Sequence, residues 1–269
     1  MKTTVVSREY KELQSKIIKL QESWKNSVHA DGVNPNLDKA AMAAGVPVVA
    51  LADIHFEIPL FLQWIKELEE LLVNQNPALS ASFEILNDKL TETVAHQWIE
   101  EALSFNQSYF NEFARETGLE EWLPYFLAES AVRPYLQILA EKAQPEIHKA
   151  EPRCGCQVCG EPVRIAQLEG EGQKVVYCPR CTVHWRDKRV ACSHCGNNDH
   201  KTVENMNVEG EAAAQIQVCE KCHGYTKVID TRQYITKPTV AILDLTTIHL
   251  DFIAQERGYT SGGSPKGKN

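Results

Sequence analysis

Nine cysteines fall between residues 154 and 222, and eight of them form four Cys-x-x-Cys pairs: Cys156/Cys159, Cys178/Cys181, Cys192/Cys195 and Cys219/Cys222. A two-residue gap lets both sulfurs of a tight turn point at one ion, and two such pairs complete a tetrahedral thiolate shell. A single pair could serve equally as a redox dithiol. Four pairs between Cys156 and Cys222 point instead to metal. Sulfur-only tetrahedral sites suit zinc and iron alike, so the expected cofactors are two ions per chain, either zinc or rubredoxin-type iron held by four thiolates. Closed coordination leaves no position for water or substrate, which argues against hydrolytic metal catalysis.

The pairs repeat internally. CQVCG at 156–160 matches CSHCG at 192–196, and each is followed by a second pair without the glycine, CPRC at 178 and CEKC at 219. The repeat assigns Cys156, Cys159, Cys178 and Cys181 to one site and Cys192, Cys195, Cys219 and Cys222 to the other. An interleaved, cross-braced pairing of alternate knuckles is the alternative. Gly160 and Gly196 can take positive φ and let backbone N–H groups approach sulfur, which offsets thiolate charge. Cys154 is the odd one: no pair needs it, and an incidental thiol is preferred over a reactive one. His184, His194, His200 and His223 lie nearby, but eight paired cysteines leave them no ligand role.

These pairs need short strands to hold them. VRIAQLEGEGQKVVYC reads as a hairpin turning at Gly170-Glu171-Gly172. AAAQIQVC before Cys219 and YTKVID after Cys222 supply strands to the second unit. Tyr177, Trp185 and Tyr225 are expected to pack around the metals. The sequence ahead of the cysteines is helical in period: Leu13, Ile17, Leu20 and Trp24 mark one helix, and Leu62, Ile65, Leu68 and Leu72 a second that starts near Pro59. Asn76 should cap a third, with Phe83, Leu86, Leu90, Val94 and Trp98 on one face. A fourth runs over 107–117 and ends at Gly118. A fifth runs over 119–142, with a break or kink at Pro134. Residues 142–152 read as a linker. Residues 239–258 read as one last helix, with Ile242, Leu245, Ile248 or His249, and Phe252 on its apolar face, capped by Gly258. The tail from Gly262 to Asn269 nearly spells a phosphate loop, but Asn269 replaces the hydroxyl and no helix can follow. The fold class is α+β: an acidic helical domain (1–150), two tandem rubredoxin-like or zinc-ribbon metal modules of four cysteines each (151–190 and 191–230), and a C-terminal helix with a tail (231–269).

Net charge is −8 over 269 residues, with −9 in residues 1–150, −1 in 151–230 and +2 thereafter. A near-neutral metal segment in an acidic chain speaks against nucleic acid, which demands clustered excess cation. The longest apolar run, VPVVALA at 46–52, is too short to span a bilayer, so no membrane insertion is expected. The N-terminus lacks an apolar signal core, which points to the cytoplasm, where thiols stay reduced. There is no G-x-S-x-G elbow, dinucleotide fingerprint or H-E-x-x-H, and no enzyme is expected.

In this order the motifs resemble the FdhE-type formate dehydrogenase accessory proteins. The resemblance is carried by C-x-V-C-G-x-x-P-V from Cys156, Y-C-x-x-C at 177–181, Trp185, R-V-x-C-x-x-C at 189–195, C-x-x-C-x-x-Y-x-K at 219–227, Asp244 and the ERGY ending. It covers roughly 151–260. Two positions depart. Arg186 follows Trp185 where the family tends to histidine. Asp244 stands alone where the family often has two adjacent aspartates, with Asp251 two turns on. The resemblance implies a helical domain followed by two rubredoxin-like modules, with iron as the physiological metal. It further implies a cytoplasmic, non-enzymatic assembly factor that binds the catalytic subunit of a respiratory formate dehydrogenase before export or membrane attachment. Contacts are then sought at Trp185, Arg186, Arg189, Tyr225 and Asp244. A rubredoxin-like electron carrier and a zinc-ribbon interaction module are the alternatives, and a homodimer is left open.

Overall fold

The computed structural model describes residues 6–149 and 155–262. The helices are α1 (Arg8–Ser27), α2 (Lys39–Ala43), α3 (Ile58–Gln75), α4 (Ser80–Lys89), α5 (Glu92–Leu103), α6 (Gln107–Thr117), α7 (Trp122–Ile147), α8 (Val240–Thr246) and α9 (Ile248–Glu256). The strands are β1 (Val33–Asn34), β2 (Asp53–Ile54), β3 (Ile165–Glu169), β4 (Gln173–Tyr177), β5 (His184–Asp187), β6 (Val203–Asn207), β7 (Ala214–Cys219) and β8 (Tyr225–Asp230). Two units result, one of 12–34 and 53–138, the other of 1–11, 35–52 and 139–269. No helix among the described residues is long and apolar enough to cross a membrane.

The first unit is helical and built on aromatic contacts. Trp24 stacks on Trp64 at 5.2 Å, and Trp98 meets Phe110 and Phe113 edge-on at 5.7 and 5.3 Å. The expected third helix is two. Asn76 caps only a 3-10 turn over Pro77–Leu79, and the run is interrupted after Lys89. Thr91 then caps α5, its hydroxyl accepting from the Val94 N–H, so local side-chain competition with the backbone sets the break.

The break expected at Pro134 does not occur: α7 continues through it to Ile147, and residues 142–147, read as linker, are helical. Pro134 has no N–H, so the Ser130 carbonyl one turn earlier loses its helical donor. Gln21 of α1 replaces it. Its side-chain amide donates to that carbonyl at 3.1 Å, and both residues are buried. A polar residue on the core face of α1, at a position the apolar period skips, thereby keeps a proline helix whole.

The second unit holds one six-stranded sheet of order β5-β4-β3-β8-β7-β6. The turn at 170–172 joins β3 to β4 as expected, with Gly170 and Gly172 both at positive φ. Two strands go beyond the sequence reading. β5 is very short, and β6, VENMN, is too polar to register as a strand. All pairings in this sheet are antiparallel except β3 with β8, which run parallel from Ile165↔Lys227 to Leu168↔Asp230. The two tandem modules therefore share one sheet.

One face of this sheet buries Ile165, Ala214, Ile216, Val218, Tyr225 and Ile229 against Val240, Leu243, Leu250 and Ala254 of α8 and α9. The expected single last helix is broken at Thr247, and its apolar face is shifted: Leu243 and Leu250 point inward while Phe252 is about half exposed. Gly258 ends α9 as expected. It sits at φ +85 with Tyr259 N–H on the Ala254 carbonyl and Gly258 N–H on the Gln255 carbonyl, the Schellman pattern. Inside this core lies fully buried Lys227, 2.8 Å from Asp244 and 2.6 Å from Asp251. Arg164 bridges Asp244 and Glu161, and the Tyr225 hydroxyl donates to Asp251 at 2.8 Å. Burial opposes ionisation of Asp244, but Lys227 and Arg164 outweigh it and hold its pKa below the usual carboxylate value. Asp251, on the next helix, is thus the second aspartate of this cluster.

Two stability outcomes follow. Gln21→Leu should cost about 1–3 kcal/mol in denaturant unfolding, because it orphans a buried carbonyl. Much of that cost should vanish in a Pro134→Ala background, where an N–H again reaches Ser130; an undiminished cost would refute the substitution of donors. Lys227→Met should cost about 3–5 kcal/mol, since it leaves Asp244 and Asp251 buried without this cation.

Candidate metal centres

Each Cys-x-x-Cys pair closes the same way. The first cysteine's N–H donates to the carbonyl five residues on: Cys156 to Glu161 (2.9 Å), Cys178 to Val183 (3.0 Å), Cys192 to Asn197 (2.8 Å) and Cys219 to Gly224 (3.0 Å). The residue after the second cysteine returns its N–H to the first cysteine's carbonyl. That residue must be left-handed, and it is in all four: Gly160, Thr182, Gly196 and His223. Glycine meets this requirement freely, whereas Thr182 and His223 adopt a conformation costly for a side chain. The two glycine-free knuckles are thus held by their strands: β4 runs into Cys178 and β7 ends at Cys219.

The sheet gathers the sulfurs into two groups, Cys156, Cys159, Cys178 and Cys181, and Cys192, Cys195, Cys219 and Cys222, each within 4.8 Å. The alternate, cross-braced pairing is not formed. Sulfur–sulfur edges are 3.5 Å for Cys156–Cys181 and Cys159–Cys178, 3.6 Å for Cys192–Cys222 and 3.8 Å for Cys195–Cys219. These are far beyond a disulfide bond. A tetrahedral shell with metal–sulfur bonds of ~2.3 Å has edges of ~3.8 Å, so both groups fit a single ion. The first group is buried throughout; in the second only Cys195 reaches toward solvent.

Backbone donors already face the sulfurs. The Cys159 N–H lies 3.4 Å from Cys156 Sγ, and the His194 N–H 3.4 Å from Cys192 Sγ. Burial pushes the Cys192 thiol up to about 12. Burial also opposes the Cys219 thiolate, but the Asn197 side chain and backbone N–H groups outweigh it and bring Cys219 down to about 7. Buried thiols that close together resist joint ionisation, and a cation between them relieves that resistance.

Each centre is also gripped from outside its own module. Val48 and Val49 donate their N–H groups to the Gln157 and Val158 carbonyls of the first knuckle, at 2.9 and 2.8 Å. The apolar run 46–52, unremarkable as sequence, is therefore a clamp on the first centre. Past α9, Thr260 bridges Gly224 in parallel, giving its carbonyl to Tyr225 and taking that of His223. These contacts grip the last knuckle of the second centre.

The other residues singled out above fall as follows. No histidine among the described residues joins either sulfur group. The His194 ring is buried and lies 2.7 Å from the Tyr225 carbonyl, and His223 stacks on Tyr259. Trp185 and Tyr225 are core residues and Asp244 is held by Lys227 and Arg164, so these three are not surface contacts. Tyr177 is half-buried, with its hydroxyl on Glu169 and its ring stacked on His184. Arg186 and Arg189 are exposed. Cys154 and residues 263–269 of the phosphate-loop-like tail lie outside the described residues.

The clamps predict separable effects. Val48→Pro deletes one donor and should speed chelator release of metal from the first centre alone. Ending the chain after Gly258 should speed it from the second alone. A uniform effect of both changes would show that the clamps are not local.

Comparison with known proteins agrees with this geometry. Residues 190–265 match the family model described as FdhE, C-terminal domain. An FdhE homologue of Aquifex aeolicus is 28% identical over 236 residues, 84% of this chain and 75% of that protein. One from Shewanella baltica (strain OS223) is 24% identical over 198 residues, 73% of this chain and 64% of that protein. The crystal structure of the FdhE protein from Pseudomonas aeruginosa superposes with a TM-score of 0.64 at 20% identity, covering 92% of this chain and 85% of that one. The similarity therefore reaches well into the helical half, which the cysteine motifs alone did not connect to any family. This chain thus shares its fold with the Pseudomonas aeruginosa FdhE protein over nearly its whole length and is similar in sequence to FdhE homologues over most of it.

Proposed function

We propose that this protein is an accessory factor for a respiratory formate dehydrogenase, that it binds the catalytic subunit during assembly in the cytoplasm, and that it does no chemistry on a substrate itself. The observation that carries the reading is the pair of closed, all-sulfur centres built into one sheet of a chain that shares the FdhE fold. Each centre offers four thiolates and no open position, so an ion there organises the surface around it rather than activating water. In this reading Cys156, Cys159, Cys178 and Cys181 hold one ion, and Cys192, Cys195, Cys219 and Cys222 the other. Iron is the metal that the family resemblance favours, and zinc is the metal that the ligands accept equally well.

A one-electron carrier is the second reading. The observation favouring it is the partial exposure of Cys195, which gives the second centre a route to solvent that the first lacks.

Affinity capture from anaerobically grown cells, with mass spectrometry of the retained proteins, tests the first reading. The expected result is enrichment of a formate dehydrogenase catalytic subunit. Enrichment of another redox protein in its place moves the assignment to electron transfer. Metal analysis of the same sample should return two ions per chain, falling to one in Cys159→Ser and in Cys222→Ser.

A further inference from the structure

The chain carries net −8, yet one rim of the second unit is strongly cationic. Arg186, Lys188 and Arg189 follow one another along and just beyond the edge strand β5, and all are exposed. Their side chains have no hydrogen-bond or ion-pair partner among the described residues. The acid within this run is turned away: Asp187 pairs with buried Lys174 at 3.3 Å and accepts from the Ser193 hydroxyl at 2.8 Å. Lys174 in turn donates to the Ala191 carbonyl and to Gln217, which anchors the segment leading into Cys192. The three cations are thus left without their neighbouring carboxylate by the folding of the sheet itself.

A fourth cation joins them at the β3–β4 turn. A Cβ placed on Gly172 would lie 3.2 Å from Arg232 Nη1 and 3.7 Å from Arg189 Nη1, so the two guanidinium groups converge on one glycine. Asp230 engages Arg232 through Nε and Nη2, leaving Nη1 toward the turn. Glu169 is engaged by Lys237 and by the Tyr177 hydroxyl. Glu171, at the tip of the turn, is the rim carboxylate with no partner among the described residues.

Apolar side chains sit among these charges. Val190 is 47% exposed, Tyr234 is 38% exposed, and Ile235 is fully exposed in the loop between Arg232 and Lys237. Arginine beside exposed aromatic and aliphatic groups is the composition of a protein-binding patch, and isolated phosphates do not call for it. The backbone adds one further feature. The Gln144 side chain occupies the open edge of β5 at His184, accepting its N–H and donating to its carbonyl at 2.7 Å. By the alternation of an antiparallel strand, the N–H and carbonyl of Arg186 face the same open side.

We infer that this rim — β5, the 170–172 turn and the 231–237 loop — is a docking surface for an extended, carboxylate-bearing segment of a protein partner with interspersed apolar side chains. Arg186, Lys188, Arg189 and Arg232 receive the carboxylates, Val190, Tyr234 and Ile235 receive the apolar groups, and the Arg186 backbone offers one strand-like rung. Only the identity of the partner rests on the function proposed above; the chemistry of the surface does not.

The test uses the full chain and a short fluorescein-labelled peptide of alternating glutamate and leucine, followed by anisotropy. Binding should weaken with added salt, and at least about tenfold in an Arg186→Glu/Arg189→Glu variant. Ile235→Ser should weaken it without changing its salt slope. Both variants change exposed side chains, and unchanged metal content and melting would establish that they fold. Failure of the wild type to bind, equal binding of a lysine–leucine peptide, undiminished binding by the variants, or tighter binding of a single-stranded oligonucleotide would each overturn the inference. Capture of the formate dehydrogenase subunit that survives the double charge reversal would remove this surface and leave the function standing. Peptide binding without such capture would do the reverse.

Discussion

The parallel pairing of β3 with β8 is the constraint on which the rest of the second unit depends. β3 follows the first knuckle, and β8 leaves the last. Parallel neighbours require a long crossover, and here everything from β4 to β7, with three of the four knuckles, is that crossover. The join turns two small ribbons, each too small for a sizeable core, into one sheet with a face broad enough to cover. It also places Lys227 at the sheet centre, where α8 and α9 bury it. A lysine there persists only with carboxylates beside it, so Asp244 and Asp251 fix where the two helices lie. The ion cluster and the apolar contacts of Leu243 and Leu250 therefore specify the same docking geometry.

The metal centres inherit their order from this sheet. The hydrogen-bond closure is common to all four knuckles, but its conformational cost is not. Gly160 and Gly196 make the leading knuckle of each module self-sufficient, whereas Thr182 and His223 make the trailing ones depend on β4 and β7. The outer clamps are also unlike. The first centre is gripped by residues 48 and 49, from a segment far upstream, and the second by residues that follow α9. Two similar sulfur shells are thus built into different surroundings, one wholly buried and one open at Cys195. Sequence repetition makes them look equivalent; packing makes them distinct.

Charge is distributed by the same architecture. The two buried lysines draw carboxylates inward, Lys174 taking Asp187 and Lys227 taking Asp244 and Asp251. On the β5 side this leaves the exposed arginines without their neighbouring acid, and a segment of nearly zero net charge presents a cationic rim. Net charge thus conceals a local surface of opposite sign.

Much of this protein is readable in its amino acids. Cys-x-x-Cys spacing is a local geometric instruction, and the CQVCG/CSHCG repeat determined which pairs share a centre. The 170–172 hairpin, the helix 107–117 with Gly118, and the Gly258 cap are equally legible, because turn and cap chemistry act within a few residues. Expectation and structure part where a distant group alters a local rule. Pro134 leaves α7 intact because Gln21, over a hundred residues away, supplies the missing donor. β6 is a strand because β7 pairs with it, though its own residues are polar. Trp185 and Tyr225 are buried, as their reading as packing residues has it, whereas Asp244, sought as a contact, is held by Lys227 and Arg164, because sequence records residue type and not what lies above it. The run 46–52 looks merely apolar until its N–H groups meet the first knuckle. Sequence alone determined the two cysteine groups, because sulfur geometry is local; tertiary structure decided the shared sheet, the clamps and the exposed cations, because each needs a partner distant along the chain.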